Sequence, residues 1–411
     1  MKIVILIISI TICASKERQT KFAQRYMRNG NKNLCIDEQQ ATGVFRIAFA
    51  TFTANLLKKV SLQGNHYMAL APLSVWITLA AIAEGADENT QKELFTLLNL
   101  PENACSRFKL YQIAVTRSSS SKYVSVLNKR ILLIDKGAHI NGHWYKLVRQ
   151  YSLLQMFPAP IERNPVATIE ITKIFILTNH QLNFNGNSII LNSMDYDGLW
   201  TTAFNDNVAK HSPFYNQAGK RIGSVDLMKM KTIVRIGYVA SINAKVLELP
   251  IGINGEYRMI FALVVDNNSS IDSMVSSFHN YTIFEAKASL QDSQIPIDVA
   301  IPRFLMKSEI DMKQILEGMG IVNLWQDPRA TGFISYPPAL PTTYIQRTTL
   351  TLTNEGVHPQ PQLEHIPPQR YNFEERYWSE FVVDRPFMVV LVDAETYTSL
   401  MMATYSKPTY S

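Results

Sequence analysis

The chain has 411 residues, 46% of them hydrophobic, and 40 Lys and Arg stand against 34 Asp and Glu, a formal charge of +6. A charge this modest for the length carries no nucleic-acid signature. No low-complexity linker and no repeat of fixed period lies between Ala41 and Arg347, so length alone does not divide the chain into domains.

The N-terminus has the layout of a secretory signal peptide: Lys2, an apolar run over Ile3–Cys13, then the small residues Cys13, Ala14 and Ser15. The run is too short to span a bilayer, which needs about 20 apolar residues. We assign 1–14 as signal peptide, 15–40 as a basic arm and 41–411 as a single domain. The arm holds Lys16, Arg18, Lys21, Arg25, Arg28 and Lys32 against Glu17. It reads as a solvated extension, with a heparin-like polyanion as its candidate partner. Export leaves Cys35 and Cys105, which an oxidising compartment either pairs or leaves as two buried thiols. It also gives meaning to the acceptor sequences at Asn267, Asn268 and Asn280 as N-glycosylation sites.

Phe45, Ala48, Phe52 and Leu56 recur at three- and four-residue spacing and predict an amphipathic helix over Ala41–Val60. Ser74–Glu84 reads as a mostly buried helix ending near Gly85, and Asn89–Leu98 as another that stops before Pro101. Val124–Ile134 reads as a strand. Gly252-Ile253-Asn254-Gly255 between two apolar runs predicts a hairpin over Val246–Val265. Thr348–Thr353 alternates as a strand and meets a turn signal at Asn354-Glu355-Gly356. The next twenty-four residues keep no period and hold Pro359, Pro361, Pro367 and Pro368, before an apolar block over Phe381–Asp393. A loop this long inside a compact domain is usually functional. Elements in this mixed order argue α+β.

No enzyme signature is present: no H-E-x-x-H, no G-x-S-x-G and no phosphate-binding glycine loop. Gly318-Met319-Gly320 reads as a helix cap. His180, His211 and His279 stand isolated, without ligand spacing. No enzyme activity, metal, cofactor or membrane span is expected, and the chain is expected to be a monomer.

The residues at both ends of the long loop resemble the serpins. Asn354-Glu355-Gly356 is similar to the proximal hinge of a serpin reactive-centre loop. Phe381 with Asp384-Arg385-Pro386-Phe387 is similar to the strand after it. Ala71-Pro72-Leu73-Ser74-Val75 resembles the start of the family's helix B. Asn192 with Leu199-Trp200-Thr201-Thr202-Ala203-Phe204 resembles the strand and breach signature of sheet A. Ile301-Pro302-Arg303-Phe304 resembles the strand before a helix, here Asp311–Met319. The resemblance runs from about Ala41 to Pro408.

It implies helices packed on a large central mixed sheet A, two further sheets, and a reactive loop over 354–380. It also implies a conformational trap: a protease cleaves the loop, and the cut loop enters sheet A as a new strand. The hinge is then Glu355, Gly356 and Val357 with Pro359 and Pro361, and alternate residues from Val357 must face inward. Two of these are prolines, which cannot donate to a central ladder. The shutter and breach set is Ser74, Asn192, Trp200 and Gln346, with Ala71 where the family has a serine and Gln346 where it has a histidine. Ala403 falls where a glycine is usual. The stretch Ile171–Leu182 reads as a shortened helix F region. Counting from the hinge puts the reactive bond at Arg370–Tyr371; counting back from Pro386 lands near Glu375-Arg376, with Arg376–Tyr377 as the alternative bond. Arginine in either place suits a trypsin-like serine protease. The expected role is a secreted, glycosylated serpin that offers this loop without trapping efficiently; the alternative is a working suicide inhibitor of an extracellular serine endopeptidase.

Overall fold

The computed structural model describes residues 35–63, 67–121, 124–176, 182, 184, 186–204, 209–265, 269–336, 340–357 and 380–410. The first part is mostly helical: α1 (Glu38–Ser61), β1 (Met68–Leu70), α2 (Pro72–Ala83), α3 (Glu88–Leu98) and α4 (Ala104–Arg117). Then come β2 (Val124–Asp135), β3 (His139–Ile140), α5 (Gly142–Gln150), β4 (Gln155–Ala159), α6 (Pro165–Phe175) and β5 (Ser188–Leu199). Strands dominate next: β6 (Ala209–Tyr215), β7 (Arg221–Thr232), β8 (Arg235–Val239), β9 (Ala244–Ile251) and β10 (Tyr257–Val264). After α7 (Ile271–Ser277), α8 (Thr282–Ser289) and β11 (Gln291–Asp292) follow β12 (Ile297–Asp311), α9 (Met312–Glu317) and α10 (Asn323–Gln326). The last elements are β13 (Ile334–Tyr336), β14 (Pro341–Leu352), β15 (Gly356–Val357), β16 (Glu380–Val382), β17 (Phe387–Asp393) and β18 (Ser399–Tyr405).

Local chemistry sets the element ends. α1 starts three residues before its apolar period, because Asp37 accepts from the Gln40 amide and Gln40 Oε1 accepts from the Asp37 amide, a reciprocal cap. α2 opens with Pro72 in its first turn, where the missing N–H has no helical partner to lose. The expected hairpin is β9–β10, and Gly252 and Gly255 take φ of +87° and +61° at its turn. α9 ends at Gly318, and Gly320 has a φ of +95°, so this glycine pair is a helix terminus as expected.

Two large sheets face each other across the core. One has the order β1-β18-β17-β10-β9-β8-β11; the other runs β4-β2-β5-β15-β14-β12-β7-β6, with β16 on β12. The apolar block Phe381–Asp393 therefore splits between sheets, β16 pairing with β12 and β17 with β10 and β18. β12 crosses from β7 to β14 at Pro302-Arg303-Phe304, where a proline is tolerated because pairing changes partner. Every residue of α2 is buried. Its Trp76 meets Phe45 edge-on at 5.4 Å and Tyr111 at 6.1 Å. α6 covers the outer face of the β2–β5–β14 region over a second, smaller core.

Cys35 and Cys105 are bonded, with Cα atoms 5.5 Å apart. The bridge fastens the start of α1 to α4, where Lys109 also donates to the Ile36 carbonyl at 2.7 Å. Closing a loop across a sequence separation of 70 removes entropy from the unfolded chain worth about 4 kcal/mol in the chain-entropy account. The Cys35→Ser/Cys105→Ser variant is expected to lose about 2–4 kcal/mol in urea unfolding; an unchanged midpoint would contradict this.

Candidate functional site

The expected hinge is built where β14 turns back on itself. Thr353 closes the turn: its backbone N–H donates to the Gly356 carbonyl at 2.8 Å, and its hydroxyl accepts from the Gly356 amide at 3.3 Å. The chain then enters the sheet. Gly356 pairs with Leu199, and Val357 pairs with Gly198 on β5 and with Leu352 on β14. Val357, the first of the expected inward positions, is fully buried. Two hinge residues are thus already a strand, antiparallel to both neighbours.

Close approach at this point requires glycine. A Cβ on Gly356 would come within 2.3 Å of the Gly198 carbonyl oxygen and 2.7 Å of the Leu199 Cα. Trp200 holds the turn from the side: its amide donates to the Glu355 carbonyl and its indole N–H to the Thr353 carbonyl, both at 2.9 Å. The Phe204 amide donates to Asn354 at 3.0 Å. Thr201 and Gly252 join this breach to the β9–β10 hairpin, through Thr201 N–H to Pro250 at 3.0 Å and Gly252 N–H to Leu199 at 2.8 Å. Glu355, Gly356 and Val357 of the expected hinge and Trp200 of the expected breach set therefore come together at this turn.

Beyond the hinge, β5 and β14 pair directly and in parallel, from Pro341↔Ser188 to Thr349↔Asp195. The sheet forks there to admit β15. Beneath the seam lies the expected polar floor. Ser74 Oγ donates to Asn128 Oδ1 at 2.8 Å, while Thr78 Oγ1 donates to Asn192 Oδ1 at 3.1 Å. Asn192 Nδ2 donates to the Tyr344 hydroxyl at 2.8 Å. Gln346 spans both backbone groups of Ala71, donating to its carbonyl at 2.9 Å and accepting from its amide at 3.2 Å. An amide side chain thus ties α2 to β14, whereas Asn128 Nδ2 is buried with no hydrogen-bond partner among the described residues. Arg130 donates to the Leu153 and Ser152 carbonyls, both at 2.8 Å. Burial lowers its guanidinium to about 10, still cationic at neutral pH. Burial pushes the Tyr344 phenol well up, so it stays a neutral hydrogen-bonding group.

Thr78, Asn128, Arg130, Tyr344 and Thr353 complete the site and were missed in the sequence. The signal for two of them was present: Tyr344, Gln346 and Thr348 share one face of β14 by strand alternation, and Thr78 lies one helical turn beyond Ser74.

Pro359, Pro361, both candidate reactive bonds (Arg370–Tyr371 and Arg376–Tyr377), Asn267, Asn268, His180, the expected signal peptide over 1–14 and the arm over 15–34 lie outside the described residues. Asn280 is half-buried and donates to Thr51 Oγ1 at 3.2 Å. Ala403 pairs with Ala69 of β1 and Val389 of β17, in the sheet that does not hold the hinge. Among the described residues, no His, Cys, Asp and Glu cluster has a metal-binding arrangement, and no helix is long and apolar enough to cross a membrane.

The hinge geometry generates a test. Gly356→Val is expected to expel β15, raising hydrogen exchange at the Trp200 and Gly356 amides by about tenfold or more, since overpacking of this kind typically costs 1–3 kcal/mol. Unchanged protection would mean that Gly356 is not seated as described.

A family profile described as serpin, serine protease inhibitor, matches residues 48–408. An uncharacterised serpin-like protein of Methanosarcina mazei is 24% identical over 353 residues, 83% of this chain and 81% of that protein. Human thyroxine-binding globulin, solved in complex with thyroxine, superposes with a TM-score of 0.78 at 17% identity, covering 90% of this chain and all of that one. Uncleaved ovalbumin gives 0.74 at 17% identity, covering 88% and 99%. With the family profile matching nearly the whole described domain, the chain belongs to the serpin family.

Proposed function

We propose that this serpin is secreted and presents an arginine-bearing loop to trypsin-like serine proteases as a substrate-like decoy rather than as an efficient covalent trap. The observation that carries this reading is the register of β15. Val357 lies opposite Gly198 and Leu352. Continuing the register by two residues sets Pro359 against Tyr196 and Leu350, and by two more sets Pro361 against Met194 and Thr348. Both are inward, central positions, and proline has no N–H for either neighbouring strand. Each unpaired buried carbonyl left behind costs roughly 1–3 kcal/mol. The leader-like N-terminus supports export, and a disulfide suits an oxidising compartment.

In the encounter, the protease serine Oγ attacks the carbonyl carbon of Arg370 or Arg376. The peptide bond to the following tyrosine breaks, its nitrogen leaves as a protonated amine, and an acyl-enzyme ester remains. The outcome is then a race. Fast insertion would carry the acylated protease away before water reaches the ester. Slow insertion lets water hydrolyse it, releasing active protease and a nicked serpin.

One observation favours the second reading, a working suicide inhibitor: the sheet already admits Gly356 and Val357, so its upper end opens for a strand. The two readings part at Pro359. Incubated with trypsin, the protein is expected to be cut after Arg370 or Arg376 and to leave no protease complex on a denaturing gel. Pro359→Ala/Pro361→Ala is expected to yield such a complex at least in part; Val357 needs no change, since it already packs inward. A stable complex from the unmodified chain would establish the second reading instead. First cuts inside Ala41–Arg347 would refute the loop assignment.

A further inference from the structure

The turn that joins β9 to β10 carries a chemistry that the hinge does not use. Its tip, Ile253 and Asn254, is exposed. Gly255 follows Asn254, and a glycine there has no side chain to keep its backbone nitrogen from the asparagine amide carbon. The Asn254 side chain makes no hydrogen bond among the described residues. Asn141, which also precedes a glycine, is held instead: its Oδ1 accepts from the His143 and Trp144 amides at 2.9 and 3.2 Å and caps α5. Asn29-Gly30 and Asn185-Gly186 share the pattern, and both asparagines lie outside the described residues.

We propose that Asn254 is a deamidation site whose conversion to isoaspartate releases the β9–β10 turn from the breach. The Gly255 backbone nitrogen gives its proton to water and bonds to the Asn254 side-chain carbonyl carbon. The bond from that carbon to the side-chain nitrogen breaks, and the nitrogen leaves as ammonia with a proton from water. Water then adds to one of the two carbonyl carbons of the cyclic imide. Opening at the side-chain carbon leaves aspartate. Opening at the backbone carbon leaves isoaspartate, with an extra methylene in the main chain. One local bond gates the first step: the Gly255 N–H donates to the Gly252 carbonyl at 3.1 Å across the turn. A single bond in an exposed turn opens more readily than a strand ladder.

The product disturbs more than the tip. The Gly252 carbonyl that takes the Gly255 bond also accepts from Thr201 Oγ1, and the Gly252 amide donates to the Leu199 carbonyl at 2.8 Å. Left-handed backbone flanks the tip on both sides, at Gly252 and Gly255, and a main chain lengthened at position 254 does not fit that closure. The new carboxylate adds a second disturbance. Glu256 Oε2 is buried without a hydrogen-bond partner among the described residues. It packs on Gly252, where a Cβ would come within 2.0 Å of it. A further negative charge two residues away repels it. Arg258 is already engaged, donating from Nη1 to the Gly255 carbonyl at 2.6 Å, with Nε 3.5 Å from Glu248. Trp200, next to Thr201, holds the hinge turn through Glu355 and Thr353, so loosening here reaches the support of β15.

The test uses the uncleaved, full chain and so is independent of what the loop does with proteases. The protein is aged at mildly alkaline pH, its peptides are read by mass spectrometry, and isoaspartate is labelled with an isoaspartyl methyltransferase. Asn254 is expected to convert about tenfold faster than Asn141, whose capping bonds must also break. In the aged protein, hydrogen exchange at the Thr201 and Gly252 amides is expected to rise about tenfold and to stay unchanged in β17–β18. Asn254→Ala, aged alongside, is expected to keep its protection although it retains every other Asn-Gly pair. Asn254→Asp carries the charge without the methylene and is expected to fall well short of the aged protein. The deamidation switch is overturned if Asn254 converts no faster than Asn141, or if its conversion leaves Thr201 and Gly252 protected. It is equally overturned if β17–β18 loosens as much, if aged Asn254→Ala loses the same protection, or if fresh Asn254→Asp reproduces the whole effect.

Discussion

Everything in this molecule that resembles a mechanism depends on one seam, the parallel pairing of β5 with β14. A sheet strand with neighbours on both sides has every backbone donor and acceptor assigned. Opening it exposes those groups unless another strand supplies partners. Here the upper end has already accepted one, since Gly356 and Val357 occupy the fork. The lower part remains closed from Ser188 to Asp195 on one side and from Pro341 to Thr349 on the other.

Two layers keep that lower part closed. Under the sheet, Asn192, Tyr344, Thr78 and Gln346 hydrogen-bond between β5, β14 and α2. These bonds lie in a dry interior, where an unpaired group is costly, so the floor resists partial opening. Over the sheet, α6 covers an apolar patch and ends where Lys129 Nζ donates to the Phe175 carbonyl. Chain advance past Val357 must disturb both layers and must also seat Pro359 in a position that calls for an N–H. In the proposed decoy reading, the hinge prolines and the closed seam act in the same direction, toward slow insertion.

Much of this was legible in the sequence. Strand alternation from Thr348 and the Asn354-Glu355-Gly356 turn located the hinge, and the order of five short motifs gave the family. Gly252 and Gly255 marked the hairpin because only a glycine takes those φ values freely. Other parts were concealed for physical reasons. α4 hides its period because a buried cation interrupts it: Arg107 packs inward and pairs with Glu84 at 2.5 Å, with Tyr111 donating to the same carboxylate at 2.7 Å. α5 buries only Trp144 and Val148, too few apolar positions to show a helix. Cys35 and Cys105 meet through the packing of α1 on α4, a distance that no spacing rule contains. Insertion of Val357 was concealed as well, since sequence gives the face of a residue but not how far a loop has entered a sheet.

The central claim is that the loop stops at the fork because Pro359 and Pro361 cannot serve as central strand residues. Melting temperature before and after a single cut in the loop tests it most directly, because a full added strand brings new backbone pairing and buried area to the sheet whereas a halted hinge brings neither. The account predicts that the nicked protein melts within a few degrees of the intact one, while nicked Pro359→Ala/Pro361→Ala melts clearly higher than its uncut form. A rise of tens of degrees in the unmodified chain would contradict it.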